Sequence, residues 1–534
     1  MSTPSPFPAE LAARRWPWSL PLVASALAGL WFTFAVAQRL PYPHELEWME
    51  GALVDHASRI ADGLPLYCEP GPEHVPFLYA PLLFWLGGLG MKLGIDGLLA
   101  LRLIATGFSV GCGMLIGHWV RRESGDLRAG LVASGTFLAG YGWLAWWYDL
   151  ARNDSLFVFG CLATAYQLRH GGPRRWLWAA LLATLAVLAK QSALMWLPAI
   201  TVGALIHDPR TAWRFAAAAL ALGAAVFGAM HWSSDGWSTF YLFEMPRHHG
   251  IDGSRKLGYW TEDVQPMLPM LLLGLAAVLP TCRAGRWREA LFLAAFGSGG
   301  LLASWFSRLH VGGFDNVMMY GFAAACVLGP LAAVGPGRWL RRCGPWLLLV
   351  QFLWLGERAW QRGPATLLPT AAHRQAHEQL AAFVAAQPGP VWIPAHGRIS
   401  HHAGKGTGAH GQAIFDLLQL LPKVDGIGLD ITVLHDPARL AQLPGRGGEA
   451  VRALMTRANA ALRERHFAAI VIDEAGGTSQ FPYVFAPGLI GDDLVPNTND
   501  DPYVRSPAPL LSEPAAIRPL LGFDVHSPYA LVRR

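Results

Sequence analysis

A series of long apolar runs is the feature that most constrains how this 534-residue chain can fold. Crossing the hydrocarbon core of a bilayer takes about 20 apolar residues, or somewhat fewer where neighbouring helices help. By that measure the sequence predicts about eleven transmembrane helices, near residues 18–37, 97–120, 129–147, 155–169, 175–189, 192–207, 213–231, 266–281, 289–304, 317–335 and 344–357. The composition agrees, because 53% of the residues are hydrophobic and only 15% are charged, which is far from the average of a soluble domain.

The basic residues of the loops predict how these helices are oriented. Sixteen arginines fall in one set of short loops, whereas the opposite loops, although much longer, hold nine Lys and Arg residues up to residue 316. This count requires that the apolar run Phe77–Ile95, which Pro81 and several glycines interrupt, lies in the outer interface without crossing. The positive-inside rule then predicts a multi-pass protein of a bacterial inner membrane, with a cytoplasmic N-terminus and an external C-terminus. Because the arginines form no single basic stripe, membrane lipids and not nucleic acids are the expected surroundings.

The apolar runs end near residue 357, and the rest of the chain has the composition of a globular domain. The predicted fold class is a polytopic α-helical membrane protein with a small C-terminal α/β soluble domain. The predicted transmembrane domain covers residues 1–358 and includes a first external loop at 38–96. The predicted linker covers 359–370, and the predicted periplasmic or extracellular domain covers 371–534. Within that domain the patterns predict helices at Ala371–Ala386 and Gly447–Arg465, and strands at Val391–Pro394, Ala468–Asp473 and Tyr529–Val532.

An acidic cluster follows the first apolar run. Glu47 and Glu50 are three residues apart, so on a helix they would share one face. Two neighbouring carboxylates beside an apolar surface favour protonation of one of them, which suits a general base that takes a proton from a hydroxyl. Asp55 comes just after them. The alternative is a solvated helix in the membrane interface.

Two further clusters lie at the predicted outer ends of helices. One contains Arg152 and Asp154, for which an internal ion pair that orients a loop is the alternative interpretation. The other contains Lys190 and Gln191, between two apolar helices. An unpaired Lys near the membrane centre costs roughly 3 kcal/mol or more. A phosphate would be a suitable partner for this ammonium, while snorkelling to the outer interface is the alternative.

A fourth cluster, Arg308–Asn316, is a glycine-bearing polar turn that contains His310. The order of the four clusters resembles the bacterial membrane glycosyltransferases of family 39 type in the GT-C superfamily, alongside protein O-mannosyltransferases and the aminoarabinose transferases that modify lipid A. The resemblance covers roughly residues 15–320, and its most specific pieces are Glu47–Gly51, Gly63–Tyr67, Asp149–Ser155 and Lys190-Gln191.

The resemblance implies an inverting transfer of a sugar from a polyprenyl-phosphate donor to a hydroxyl of a lipid, a glycan or a protein. An acidic residue of the first external loop would be the base. Many relatives have Asp-Glu where this chain has Met49-Glu50, so Glu47 is the first candidate and Glu50 the second. The expected donor-binding residues are Lys190, Gln191, Arg152, Asp154, Arg308 and Tyr67, and the expected acceptor or supporting residues are Asp55, His310 and Asn316.

No cofactor is predicted. Some relatives use a divalent metal, but no His, Asp or Glu set in this sequence has a spacing that argues for a metal site. A Gly- and His-rich segment, 396–410, is expected to form a flexible loop that helps to hold the donor or the acceptor. A polytopic transporter or lipid flippase is the alternative function. The position of the charges at the outer ends of the helices, and not at their centres, favours the enzyme.

Overall fold

The structure, a computed structural model, describes residues 16–424, 428–472, 484–485, 503–506, 510–511 and 529–533. The chain divides into two compact units. The first unit comprises Met1–Leu40, Leu103–Val226 and Ile251–Leu367, and the second unit comprises Pro41–Arg102, Phe227–Gly250 and Leu368–Arg534.

The first unit is helical, and each of the predicted apolar segments is a helix in it. These helices are Trp16–Arg39, Gly97–Ser124, Leu127–Trp143, Asp154–His170, Arg175–Ala189, Ala193–His207, Pro209–Ser233, Leu268–Arg283, Trp287–Leu309, Met319–Val334 and Arg338–Arg362. Short helical turns occur at Trp147–Asp149, Arg255–Gly258, Tyr259–Asp263, Gln265–Met267, Asp315–Met318 and Pro364–Thr366. The helices Gly97–Ser124 and Pro209–Ser233 also extend into the second unit.

Six helical stretches in the described part of the chain are long and apolar enough to cross a membrane: Pro17–Arg39, Gly97–Ser124, Pro209–Ser233, Arg255–Arg283, Trp287–Leu309 and Asp315–Val334. The chain is therefore a membrane protein. The helices Arg175–Ala189 and Ala193–His207 are apolar but have 15 residues each, so each is only about 22 Å long at 1.5 Å per residue. The eleven membrane crossings stay a prediction for this reason.

The helix Leu127–Trp143 ends four residues before the predicted boundary. Ala145 and Trp146 have φ angles of 51° and 62°, in the left-handed region that interrupts a helix. The chain then turns and brings Asp149 to Arg39, whose Nε and Nη2 donate to the carboxylate at 2.7 and 3.1 Å. Both side chains are fully buried. The ion pair of Arg39 and Asp149 therefore anchors this turn to the end of the first helix.

The first loop forms two helices, Glu50–Ala61 and Leu82–Lys92. The second of these has 11 residues and is about 16 Å long, too short for a core of about 30 Å. Its glycines serve close packing, because a Cβ on Gly87 would lie 2.4 Å from Leu101 and one on Gly88 2.8 Å from Ile60. Glycine thus brings this helix against the rest of the loop.

Six strands are described in the second unit: β1 (Val391–Trp392), β2 (Lys423–Val424), β3 (Gly428–Leu429), β4 (Ala469–Ile472), β5 (Tyr503–Arg505) and β6 (Tyr529–Arg533). Four of them form a sheet in the order β1, β4, β6, β5, with β1 parallel to β4 and the other pairs antiparallel. Strands β2 and β3 form a separate antiparallel pair. Besides the two helices of the first loop, the helices and turns of the second unit are Trp237–Thr239, Phe240–Glu244, Met245–His248, Ala371–Ala386, Ile399–His402, Gly411–Leu418, Ile431–His435, Pro437–Ala441 and Gly445–Arg463.

The predicted helix Ala371–Ala386 is confirmed at both ends. Leu380 and Val384 on this helix share a buried core with Val391 and Val471 of the sheet. The predicted strands are found at β1, β4 and β6, although Asp473 and much of the chain that follows lie outside the described residues. The long amphipathic helix begins and ends two residues earlier than its pattern predicted.

The structure groups residues 41–96 of the first loop with the C-terminal segment in the second unit. The backbone N–H of Ala409 donates to the carbonyl of Pro72 at 2.7 Å. Arg457 also forms an ion pair with Glu69. The first unit ends at Leu367, and the helix Arg338–Arg362 extends into the segment 359–370, so the predicted domain bounds stay a prediction.

Candidate active site

A buried polar cluster in the first unit joins three of the sequence clusters. The ammonium Nζ of Lys190 lies 2.6 Å from Asp154 Oδ1, and the amide of Asn316 donates to the same oxygen at 2.9 Å. Lys190 Nζ also lies 5.6 Å from the centre of the Tyr320 ring, within the range of a cation–π interaction. Residues far apart in the chain therefore converge on one carboxylate.

The local fold explains this convergence. Lys190 directly follows the helix Arg175–Ala189, and Asp154 is the first residue of the helix Asp154–His170. The side chain of Asn153 donates to the carbonyl of Ala189 at 2.9 Å, which holds the start of one helix against the end of the other. Lys190 keeps 13% of its side chain exposed while Asp154 keeps 1%, so the cation is the accessible member of the pair.

Arg308, a predicted donor-binding residue, is held by acidic partners. Its Nε and Nη2 donate to the carboxylate of Asp263 at 2.9 and 3.2 Å, and Asp315 lies 3.7 Å away. Two parallel N–H···O bonds to one carboxylate fix both the position and the charge of the guanidinium. The sequence analysis did not identify Asp263 as a site residue.

The other predicted site residues of the first unit are Arg152, Gln191 and His310. Arg152 stands 4.9 Å over the ring of Trp147. Gln191 is half-buried in the turn that follows Lys190. His310 ends the helix Trp287–Leu309 and forms a bridge with Ile251.

In the second unit, Glu50 is part of a buried ion pair. The Nε and Nη2 atoms of Arg102 donate to its two oxygens at 3.0 and 2.6 Å, and the backbone N–H of Leu46 donates to Oε2 at 2.7 Å. Arg102 also donates to the carbonyls of Tyr42 and His44 at 2.6 and 2.7 Å. Glu50 therefore ties the first loop to the start of a long helix.

Glu47 does not share a helix face with Glu50, which corrects the prediction from their spacing. The helix begins at Glu50, so Glu47 lies in the turn before it, where its carbonyl accepts the N–H of Glu50 at 3.0 Å. The Glu47 side chain is fully buried, and its Oε2 accepts the N–H of Met49 at 3.1 Å. The two carboxylates thus occupy different environments.

Asp55 lines a small cavity within the second unit, with a volume of about 10 Å³. Its Oδ2 accepts the backbone N–H of Arg398 at 2.8 Å, and His401 lies 3.8 Å from its Oδ1. Burial raises the pKa of Asp55 above its usual range, although these two neighbours oppose the shift. His74 and His410 line the same cavity.

Tyr67, predicted to contact the donor, is buried. Its hydroxyl donates to the carbonyl of Tyr79 at 2.6 Å. This bond fixes the chain between the two helices of the first loop.

No protein-family model and no curated protein sequence matches the chain. Among solved structures, ArnT from Cupriavidus metallidurans in the apo state superimposes with a TM-score of 0.51 at 15% sequence identity, over 78% of this chain and 91% of that chain. The chain therefore shares the fold of ArnT. ArnT bound to undecaprenyl phosphate matches with a TM-score of 0.50 at 13% identity, over 78% of this chain and 90% of ArnT.

The archaeal oligosaccharyltransferase AglB from Archaeoglobus fulgidus, in complex with an inhibitory peptide and a dolichol-phosphate, matches with a TM-score of 0.46 at 12% identity, over 86% of this chain and 69% of AglB. The resemblance to the GT-C superfamily that the sequence motifs indicated is confirmed at the level of the fold. One fold supports many reactions, so the activity has to be argued from the residues.

Proposed function

We propose that the protein is an inverting glycosyltransferase that moves a sugar from a polyprenyl-phosphate donor to a hydroxyl acceptor on the outer face of a bacterial inner membrane. The observation that carries the proposal is the cluster of Lys190, Asp154 and Asn316 in a chain with the GT-C fold. ArnT, which shares this fold, has been crystallised with undecaprenyl phosphate. A lipid-linked phosphate is therefore the natural ligand for the Lys190 ammonium.

On the donor side, Lys190 binds the phosphate that leaves with the polyprenyl chain. Asp154, which accepts a hydrogen bond from the amide of Asn316, holds the ammonium in place before the donor arrives, so that little reorganisation is needed when negative charge develops on the phosphate oxygen. Gln191 and Arg152 extend this polar surface. Arg308, whose charge Asp263 already balances, and His310 support the turn that carries Asn316.

On the acceptor side, Glu47 is the general base and Glu50 positions its loop. Glu50 is the weaker base of the two because the Arg102 guanidinium balances its charge and three N–H groups occupy its oxygens. Because the Glu47 side chain is fully buried in the structure, the acceptor must displace neighbouring protein groups to reach its carboxylate. Asp55, which lines the cavity beside the same helix, contacts the acceptor.

The reaction is a single displacement. The acceptor hydroxyl gives its proton to Glu47 and its oxygen bonds to the anomeric carbon. The bond from that carbon to the phosphate oxygen breaks, and the phosphate leaves with the electron pair. Attack from the side opposite the leaving group inverts the anomeric configuration.

The function is tested by comparing cell-envelope lipids, glycans and glycoproteins by mass spectrometry in cells with and without this protein. We expect the loss of one defined sugar mass from a lipid, a glycan or a protein. The purified protein in detergent should also bind undecaprenyl phosphate in native mass spectrometry. Lipid movement across vesicle bilayers without any sugar transfer would instead show a flippase and contradict the proposal.

A further inference from the structure

Three buried side chains of the second unit, Glu45, His377 and His396, each offer a metal-ligating atom, and these atoms lie within 4.8 Å of one another. We propose that they form a binding site for a divalent transition-metal ion, with Zn²⁺ as the preferred metal. The sequence predicted no such site because 351 residues separate Glu45 from His396, a distance at which no ligand spacing can be recognised.

His377 is oriented as a metal-ligating histidine. Its Nδ1 lies 2.9 Å from the carbonyl of His373, a contact that places the proton on Nδ1 and the lone pair on Nε2. Metal-ligating histidines commonly donate their other ring N–H to such a carbonyl, which fixes the tautomer and the ring orientation. Nε2 itself is buried, and no hydrogen-bond partner for it occurs among the described residues.

Glu45 presents a second unsatisfied atom. Its Oε2 lies 2.8 Å from His396 Nδ1, while its Oε1 is buried and has no hydrogen-bond partner in the described ranges. Ligands of a tetrahedral zinc ion at about 2.0–2.1 Å are roughly 3.3 Å apart. A cation therefore replaces the proton shared by Glu45 and His396 after only small shifts, of the order of an ångström, by the side chains.

The two histidine ligands lie on or next to elements of the packed core. His377 lies on the helix Ala371–Ala386, beside Leu380 and Val384 of the buried core. His396 follows strand β1 and the core residue Ile393. Such positions hold a ligand set more precisely than exposed loops do.

Two glycines allow Glu45 and the segment after β1 to meet. A Cβ on Gly51 would lie 2.7 Å from the backbone oxygen of Gly397. A Cβ on Gly397 would lie 2.4 Å from the backbone nitrogen of Ala52. Any other residue at either position would push the loop that carries Glu45 away from His396.

The donor set selects the class of metal. Two imidazoles and one carboxylate suit Zn²⁺ and related transition metals, whereas Mg²⁺ and Ca²⁺ prefer oxygen ligands only. Three protein ligands leave a fourth position for water. Because Glu45 is two residues before Glu47, the ion would fix the first loop to the C-terminal segment, and this inference does not depend on the proposed transfer reaction.

The test measures metal content directly. We expect about one zinc per chain, by elemental mass spectrometry, in the full-length protein purified in detergent without chelator. His377→Ala and His396→Ala should each lower that content at least tenfold, whereas His402→Ala, a histidine outside the ligand set in the same segment, should not. Unchanged zinc content in both ligand variants would overturn the site.

A second measurement needs no variant and so remains decisive if the variants do not fold. Removal of metal from the wild-type protein with a chelator should lower the apparent melting temperature, and one equivalent of Zn²⁺ should restore it. One equivalent of Co²⁺ should give the visible absorption of a four-coordinate ion. Absence of both the thermal shift and the cobalt spectrum would overturn the proposal.

Discussion

The guanidinium of Arg102 lies 2.6 Å from the carboxylate of Glu50, and both side chains are fully buried. A buried ion pair is costly to desolvate, but removal of one partner costs more because it leaves an uncompensated charge. The pair therefore decides whether the turn that carries Glu47 keeps its position.

Breaking this pair should destabilise the protein. Arg102→Met and Glu50→Gln should each lower the free energy of unfolding by about 3–5 kcal/mol. The double variant should lose less than the sum of the two, because no unpaired charge remains. Thermal unfolding of the four proteins in detergent forms the double-mutant cycle.

The exposed pair of Arg439 and Asp430 is the control. It lies on the surface of the same unit, where solvent screens an ion pair. Arg439→Gln should therefore change the apparent melting temperature little. Additive losses at Arg102 and Glu50 would show that the two side chains do not stabilise the protein as a pair.

Lys190 is predicted to act on the donor phosphate. Lys190→Ala should raise the KM for the polyprenyl-phosphate sugar at least tenfold and weaken undecaprenyl phosphate binding, while Lys190→Arg should retain part of both because it keeps a cation. Asp154→Asn should have an intermediate effect, since the ammonium loses the carboxylate 2.6 Å away.

Lys256→Ala is the matched control, because this lysine is exposed at the surface of the first unit. Its donor KM should equal that of the wild type. If Lys190→Ala also retains the wild-type KM, Lys190 has only a structural role.

The positions of the apolar helices and of the polar clusters that contain Lys190, Asp154 and Asn316 could be predicted, because apolar length and runs of polar residues are local signals. The contact of Lys190 and Asn316 with the Asp154 carboxylate was not predicted. The pairing of Arg39 with Asp149 could not be predicted in the same way. These residues are 110 positions apart, and their contact depends on the left-handed turn at Ala145 and Trp146, which no periodicity encodes.

The positions of Glu47 and Glu50 show a second limit of prediction from the sequence. Spacing predicts a shared helix face only when both residues lie inside the helix, and here the helix begins at Glu50. Arg102, which pairs with Glu50, lies 52 residues away in a predicted apolar helix, and the sequence did not indicate that contact.

The stability of the second unit should depend on pH through Asp416. Burial raises the pKa of this carboxyl from 3.8 to about 8. Gln412 donates to it at 2.6 Å, and His249 Nε2 lies 3.7 Å from it. The folded state therefore keeps a proton that the unfolded chain releases near pH 4. The contribution to stability is complete below about pH 4 and is lost as the pH rises to about 8.

Asp416→Asn should remove this dependence. At pH 8 the variant should have a higher apparent melting temperature than the wild type, corresponding to at most about 6 kcal/mol at 1.36 kcal/mol per pKa unit. At pH 4 the two proteins should agree closely. An equal difference at both pH values would show that ionisation of Asp416 is not the cause.

The orientation of the chain is tested by reporter tags. A tag in the loop Arg121–Arg128 and a tag at the C-terminus should report opposite sides of the membrane, because the arginine distribution places that loop in the cytoplasm. A tag in the loop Arg174–Arg175 is a second cytoplasmic reference. An external tag at Arg121–Arg128 would make Phe77–Ile95 a spanning segment.

The most direct test of the account is the transfer rate of Glu47→Gln. The amide keeps an oxygen that can accept the N–H of Met49, so the fold should be retained, while a general base cannot be replaced by its amide. With purified protein, a polyprenyl-phosphate sugar and a competent acceptor, the rate should fall about a hundredfold to ten-thousandfold. Glu69→Gln, in the same loop, should keep the wild-type rate. Wild-type turnover of a folded Glu47→Gln protein would contradict the proposed role of Glu47 as the base.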